Sequence, residues 1–187
     1  MSQLVFTFHS SRTLSPTAAP RPASALASLL PSPPVYNGLT EEEQMIILGT
    51  HNMEREKHGV ASLYWDSSAS DFAGRHLSGC PGMVEDVSHQ YGENLFGICC
   101  LLPEESSYFN VSDAVISWYS ELSDYKFENP GYSLGTGHFT QIVWKSTKGV
   151  GCAKKMCSDD WTYLDCNYVP PGNVIGQFSQ NVFSIKS

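Results

Sequence analysis

Two short segments near the C-terminal end constrain the fold most, because each has the pattern of a β-strand and each carries a cysteine. They are residues 149–157 and 161–169, separated by the turn-forming run Ser158-Asp159-Asp160. Folding about that turn places Cys152 opposite Cys166, and residues paired across an antiparallel ladder are close enough for a disulfide. The sequence therefore predicts a disulfide-linked β-hairpin.

Six cysteines indicate a disulfide-stabilised protein from an oxidising compartment. Their number is even, three of them lie near the C-terminus, and none forms the paired C-x₂-C motifs of a structural zinc site. Once the hairpin cysteines are paired, Cys157 remains to bond Cys80, which ends the second predicted helix. Cys99 and Cys100 receive no assignment, because neighbouring cysteines rarely bond each other. We therefore expect a secreted protein.

The composition favours one folded domain preceded by a separate segment. Residues 1–37 are dense in Pro, Ala and Ser, which is typical of a disordered leader or linker, so we place the domain at 38–187. The apolar run at residues 4–8 is too short for a signal peptide, so the expectation of secretion rests on the cysteines. A net charge of −8 without a basic patch argues against nucleic acid as a partner.

The first predicted helix starts at a capping box and contains unusual polar residues. Thr40 and Glu43 satisfy each other's free backbone amides, and Gly59 ends the helix. His51 and Arg55 lie four residues apart on one face. We interpret them as a buried, hydrogen-bonded brace.

Two further helices are predicted from apolar periodicity. The second begins near Asp66, and we interpret His76 on its apolar face as a packing histidine rather than a ligand. The third ends close to Glu121, which lies at the edge of the apolar stripe rather than on the solvent side.

The segment 135–145 opens with a Gly-x-Gly turn and continues with apolar, β-branched and aromatic residues. This pattern predicts a loop followed by a strand, with His138 at the mouth of the strand and facing a cleft. Glu93 lies in a short, partly apolar segment at 91–97. A carboxylate there must face a cleft or have a partner, because burying it alone is costly.

Four motifs together resemble the CAP superfamily, which comprises cysteine-rich secretory proteins, insect antigen 5 and pathogenesis-related protein 1. Residues 135–153 read GTGHFTQIVWKSTKGVGCA and residues 163–172 read YLDCNYVPPG, and both are similar to family signatures. HNxxR at 51–55 and GENL at 92–95 resemble two further motifs, in the family's order. The resemblance spans about residues 41–181 and is strongest for fungal and plant members.

The resemblance implies an α+β fold, a three-layer α-β-α sandwich with a mostly antiparallel central sheet and disulfide braces. It also implies a cleft lined by two histidines and two glutamates, of which Glu93, Glu121 and His138 match family positions. The fourth position, a histidine in the family, falls on Asp86, and His89 is the alternative ligand if the loop is rearranged. With one nitrogen ligand lost, we expect a divalent metal such as zinc to bind weakly.

The resemblance further implies a lipid site. In fungal relatives the loop after the third helix carries an aromatic pattern linked to sterol binding, and Tyr125, Phe127 and Tyr132 match that pattern. Flat aromatic faces suit a rigid, mostly apolar ring system. Because relatives also bind fatty acids, we expect sterols or fatty acids as ligands and a membrane surface as a further partner.

Two functions from different classes fit these observations. The first is a secreted, non-enzymatic lipid-binding protein in host interaction or defence. The alternative is a metal-assisted hydrolase in which Glu93, Glu121 and His138 activate a bound water. The sequence contains neither H-E-x-x-H nor G-x-S-x-G, which favours the binding protein.

Overall fold

The computed structural model describes residues 38–99, 109–158 and 160–186. The predicted leader at 1–37 and Cys100 lie outside these residues. The elements are, in chain order, α1 (Glu41–Lys57), β1 (Tyr64–Trp65), α2 (Ser67–Ser78), β2 (Gly92–Cys99), α3 (Val111–Ser120), a 3₁₀ turn (Glu121–Asp124), α4 (Gly137–Ile142), β3 (Gly149–Met156), β4 (Trp161–Val169) and α5 (Phe178–Asn181). Within the described ranges, we find no helix with both the length and the apolarity needed to cross a bilayer.

The four strands form one sheet in the order β1-β3-β4-β2. β1 pairs with β3 in parallel, whereas β4 is antiparallel to both β3 and β2, so the mostly antiparallel sheet is confirmed. The hairpin has the predicted register, with Cys152 opposite Cys166, and these residues form a disulfide. The second disulfide joins Cys80, just after α2, to Cys157, just after β3. Both bonds join the pairs expected from the sequence.

Side chains on the two faces of β4 contact different helical layers. Leu164, Cys166 and Tyr168 belong to the main core, together with residues of α1, α3 and α4, which we call the three-helix layer. Tyr163 instead packs with Ala73 on the opposite face, which we call the α2 layer. This alternation follows from the two-residue period of a strand and confirms the α-β-α sandwich.

The brace predicted in α1 is present and ties the helix to the sheet. α1 starts at the expected capping box. His51 Nδ1 donates to the carbonyl oxygen of Ile47 (2.8 Å), so Nε2 accepts from the Tyr168 hydroxyl (2.8 Å). The Arg55 guanidinium donates to several main-chain carbonyl oxygens. One of them belongs to Trp144, two residues after the end of α4 (2.9 Å). These bonds satisfy buried polar groups that would otherwise be costly.

The prediction of a strand at His138 is wrong, because Gly137–Ile142 forms α4 and the next strand begins only at Gly149. The backbone amides of His138 and Phe139 at the start of α4 both donate to Glu121 Oε2, at 3.0 and 3.1 Å. The strand preference of β-branched residues is weak and depends on context. A distant carboxylate that caps the helix is enough to override it.

Candidate functional site

The predicted cleft residues meet around a cavity of about 480 Å³ at one end of the sheet. The loop after α2 contributes Asp86 and His89, β2 contributes Glu93, and α4 contributes His138. Glu121 lies behind His138 and is hydrogen-bonded to it. The structure therefore gathers all five residues in one region, which we call the cleft.

Glu121 orients His138 and caps α4. Its Oε1 accepts from His138 Nδ1 at 2.6 Å, while its Oε2 accepts the two backbone amides described above. The His138 ring also stacks on Trp118, with 6.1 Å between the ring centroids. Because Nδ1 donates to Glu121, Nε2 is the nitrogen of the neutral ring that can accept a bond in the cleft.

Strand alternation divides the Gly-Glu-Asn motif between the two layers. Asn94 faces the three-helix layer, where its amide donates to the Tyr168 hydroxyl (3.1 Å). Glu93 consequently lies on the α2 side. There its Oε2 accepts from the backbone amide of Asp86 (2.7 Å), and its Oε1 is 3.1 Å from His76 Nδ1.

The loop after α2 does not build a zinc site with His138. Asp86 Oδ1 accepts from the backbone amide of Ser88 (2.7 Å), and the Ser88 hydrogen bonds lower the pKa of Asp86. His89 is exposed and has a φ of 52°. Among the described residues, no three of the predicted ligands bring their ligand atoms within 4.8 Å of one another. These residues are therefore not preassembled as a zinc site, and the weak zinc binding expected in the cleft stays a prediction.

A different group of potential metal ligands lies between the sheet and α2. His76 of α2, Glu93 of β2 and Asp165 of β4 place one ligand atom each within a mutual distance of 4.8 Å, and we call them the inner cluster. His76 Nδ1 is 2.9 Å from Asp165 Oδ2. The side chains of His76, Glu93 and Asp165 are 12%, 7% and 0% exposed.

Sequence reasoning missed this cluster, since it interpreted His76 as a packing residue and did not consider Asp165. One indication was available. Asp165 is the acidic residue inside the otherwise uncharged strand segment YLDCNY, and an acid on an inner strand needs a partner.

The inner cluster holds more acid than one imidazole balances. Burial, followed by the charge of Asp165, raises the pKa of Glu93 to about 8. Burial also raises the pKa of Asp165, while the hydrogen bond to Asp165 raises the pKa of His76. The raised pKa values of both carboxyls indicate that the cluster disfavours two negative charges side by side.

The three aromatic residues predicted to bind sterol are in different environments. Tyr125 is buried and packs on Phe127 and Phe139, with ring centroids 4.9 and 5.5 Å away. Phe127 is half-buried and also lies 6.3 Å from the Phe139 ring. Tyr132 is 49% exposed and borders the cleft. The first two stabilise the core, and Tyr132 is the member of the set whose ring is half exposed at the edge of the cleft.

A disulfide-braced sandwich, with a histidine–glutamate cleft at one end of its sheet, defines the class of this protein. The model of the CAP family, described as the cysteine-rich secretory protein family, matches residues 48–168. The chain belongs to this family.

The chain is also similar in sequence to named proteins from fungi and animals. The chain is 35% identical over 143 residues to Protein PRY2 of Saccharomyces cerevisiae, an alignment that covers 74% of this chain and 40% of PRY2. It is 36% identical over 138 residues to Secreted protein RBT4 of Candida albicans, covering 70% and 35%. It is 37% identical over 155 residues to human Golgi-associated plant pathogenesis-related protein 1, covering 75% and 92%. The alignment thus spans less than half of the two fungal relatives.

Solved structures share the fold. BmVAL-1 superposes with a TM-score of 0.67 at 21% identity, covering 80% of this chain and 85% of that protein. Na-ASP-1 superposes with a TM-score of 0.64 at 23% identity, covering 82% and 44%.

Proposed function

We propose that this chain is a secreted, non-enzymatic lipid-binding protein whose ligand, a sterol or a fatty acid, docks beside Tyr132. The observation that carries this proposal is a group of exposed apolar side chains around that residue. Tyr132, Leu134, Val174 and Ile175 are 49%, 87%, 39% and 77% exposed, and we call them the Tyr132 surface. Exposed apolar groups of this kind commonly mark ligand or membrane contacts.

The hollows around the Tyr132 surface suit a small amphiphile. Besides the cleft, Tyr132 borders two cavities of about 370 and 250 Å³, the first of which also contacts Asn129 and Ser133. Apolar walls with a few polar groups are typical of small-molecule sites, and these polar groups suit a sterol hydroxyl. We expect the same surface to touch a membrane when lipid is taken up or released.

Secretion and a role in host interaction or defence are part of the proposal. Two disulfides support an oxidising compartment. One fungal relative is named as a secreted protein, and several others are named as pathogenesis-related proteins.

The test is a binding assay with a sterol and a fatty acid in parallel. Tyr132→Ala should weaken binding of the true ligand by about tenfold, since a large aromatic contact is removed. Tyr64→Ala is the matched control, because Tyr64 is similarly exposed (55%) on β1 and lies outside these cavities. Unchanged binding by Tyr132→Ala would refute the assignment of the site. Tyr125→Ala is unsuitable, because removing a buried core aromatic costs about 3–5 kcal/mol of stability.

The hydrolase alternative depends on the oriented imidazole of His138. A histidine fixed by a carboxylate at 2.6 Å is a reasonable general base. His138→Ala would abolish any peptide or ester hydrolysis that this pair supports and leave lipid binding intact. Turnover that persists in His138→Ala would rule out this mechanism.

A further inference from the structure

We propose that the inner cluster is a divalent metal site of this chain, with zinc as the ion that fits best, and that it shares Glu93 with the cleft but uses neither His138 nor Glu121. The ligand atoms are His76 Nδ1, Glu93 Oε1 and Asp165 Oδ2. One imidazole nitrogen with two carboxylate oxygens suits zinc, whereas magnesium and calcium prefer oxygen alone.

The spacing of the imidazole nitrogen from each carboxylate oxygen is close to that of a tetrahedral site. Zinc bonds of about 2.0–2.2 Å place tetrahedral ligands about 3.4 Å apart. Here His76 Nδ1 is 2.9 Å from Asp165 Oδ2 and 3.1 Å from Glu93 Oε1. At these two contacts the atoms need to separate by only about half an ångström to admit the ion.

The remaining oxygen of each carboxylate is already held by a neighbour. Asp165 Oδ1 accepts from the Asn167 side-chain amide (2.9 Å), and Glu93 Oε2 accepts from the backbone amide of Asp86 (2.7 Å). These bonds direct Asp165 Oδ2 and Glu93 Oε1 towards His76. Outer contacts of this kind orient ligands in protein metal sites.

An independent observation is that Glu93 Oε1 is buried and has no hydrogen-bond partner among the described residues. The Glu93 side chain is 7% exposed, and its unsatisfied oxygen points at the imidazole. A buried acceptor without a donor is costly. A cation between the three groups would satisfy this oxygen and neutralise the pair of carboxylates.

Glu93 also gives the ion a route in, because it borders both the cleft and the inner cluster. His138 and Glu121 take no part, since their contacts are with each other and with the start of α4. The two sites can therefore be tested separately.

The experiment is a calorimetric titration of the full chain with zinc, after a chelator has removed any bound metal. The unsubstituted chain should bind one zinc ion, and Asp165→Asn and His76→Gln should each lose at least tenfold in affinity, about the effect of a lost metal contact. His138→Ala and the remote Asp113→Asn should each change affinity less than about twofold. Near-UV circular dichroism checks that each variant is folded.

Histidine NMR of the unsubstituted chain gives a readout that needs no variant. Zinc should shift the His76 ring resonances and leave those of His138 unchanged. The proposal is overturned if the chain binds no zinc, if zinc shifts His138 instead of His76, or if His138→Ala loses as much affinity as Asp165→Asn. None of these results bears on the lipid assay, so the two proposals stand or fall independently.

Discussion

The two faces of β4 hold a histidine in opposite ways. On the three-helix face, the Tyr168 hydroxyl donates to His51, which has no carboxylate among its hydrogen-bond partners. On the α2 face, Asp165 accepts from His76, and Glu93 adds a second carboxylate. Burial lowers the pKa of His51 to about 4, whereas the hydrogen bond to Asp165 raises the pKa of His76.

The difference shows how the strand separates structural and chemical roles. His51 belongs to a network in which Asn94 donates to Tyr168, Tyr168 to His51, and His51 to Ile47. Each donor in this series of hydrogen bonds has an acceptor, so a charge on the His51 ring would disrupt the network. The inner cluster instead places two carboxyls beside one imidazole, which is the condition that attracts a cation.

The largest expected effect concerns pH. His51 is neutral in the folded protein, where its pKa is about 4. In the unfolded chain its pKa is near the ordinary value of 6.5. The unfolded chain therefore binds the extra proton between these values, and His51 alone should lower the free energy of unfolding by about 3 kcal/mol as the pH drops from 6.5 to 4, whereas the raised pKa of Glu93 acts in the opposite direction over this range. Above pH 6.5 this contribution is fully present. The difference between the unsubstituted chain and His51→Gln, from urea unfolding of the chelator-treated proteins across this range, measures it.

The control is His51→Gln, which cannot titrate. It should be less stable at pH 7, and its free energy of unfolding should lack the fall of about 3 kcal/mol that His51 contributes between pH 6.5 and 4. Other shifted groups, among them His58 with a lowered pKa and Glu93 with a raised pKa, are present in both proteins and should cancel in the difference. If the two proteins show equal slopes, His51 does not carry the effect, and the contrast between the faces of β4 fails.

A smaller effect is expected for Glu121→Ala, which removes the carboxylate that orients His138 and caps α4. Loss of a helix cap and of a charged hydrogen bond should cost about 2 kcal/mol in the free energy of unfolding. Because Glu121 lies outside the inner cluster, the zinc affinity should stay the same. Thermal unfolding with and without zinc checks both points, and a loss of zinc affinity would show that the two sites are one.

Local patterns predicted the sheet and its braces well. The Cys152–Cys166 register and the capping box at Thr40 both follow from residues close in sequence, where turn geometry and backbone hydrogen bonding decide the outcome. The brace at His51 was likewise predicted, because polar residues inside an otherwise ordered helix must find partners.

Contacts between distant segments could not be predicted in the same way. α4 forms because Glu121, 16 residues before Gly137, accepts the amides at its start, while the local pattern favours a strand. Strand alternation predicts which face Asp165 occupies, yet its partner His76 is 89 residues away on α2. Aromatic residues on a loop also fit either a core or a ligand, and only the packing of Phe127 decides between them.

The smallest expected effect concerns His89, the alternative ligand for the cleft. Its φ of 52° favours glycine, so His89→Gly should relieve backbone strain and lose a similar amount through the added freedom of the unfolded chain. We expect stability to change by no more than about 0.5 kcal/mol and zinc affinity to stay within about twofold, because His89 is exposed and outside the inner cluster. Calorimetric zinc titrations of His89→Gly and Asp165→Asn in parallel measure the difference in zinc affinity between the two variants. A tenfold loss of zinc affinity in His89→Gly alone would place the ion in the cleft, where the loop rather than the α2 face of β4 would supply its ligands.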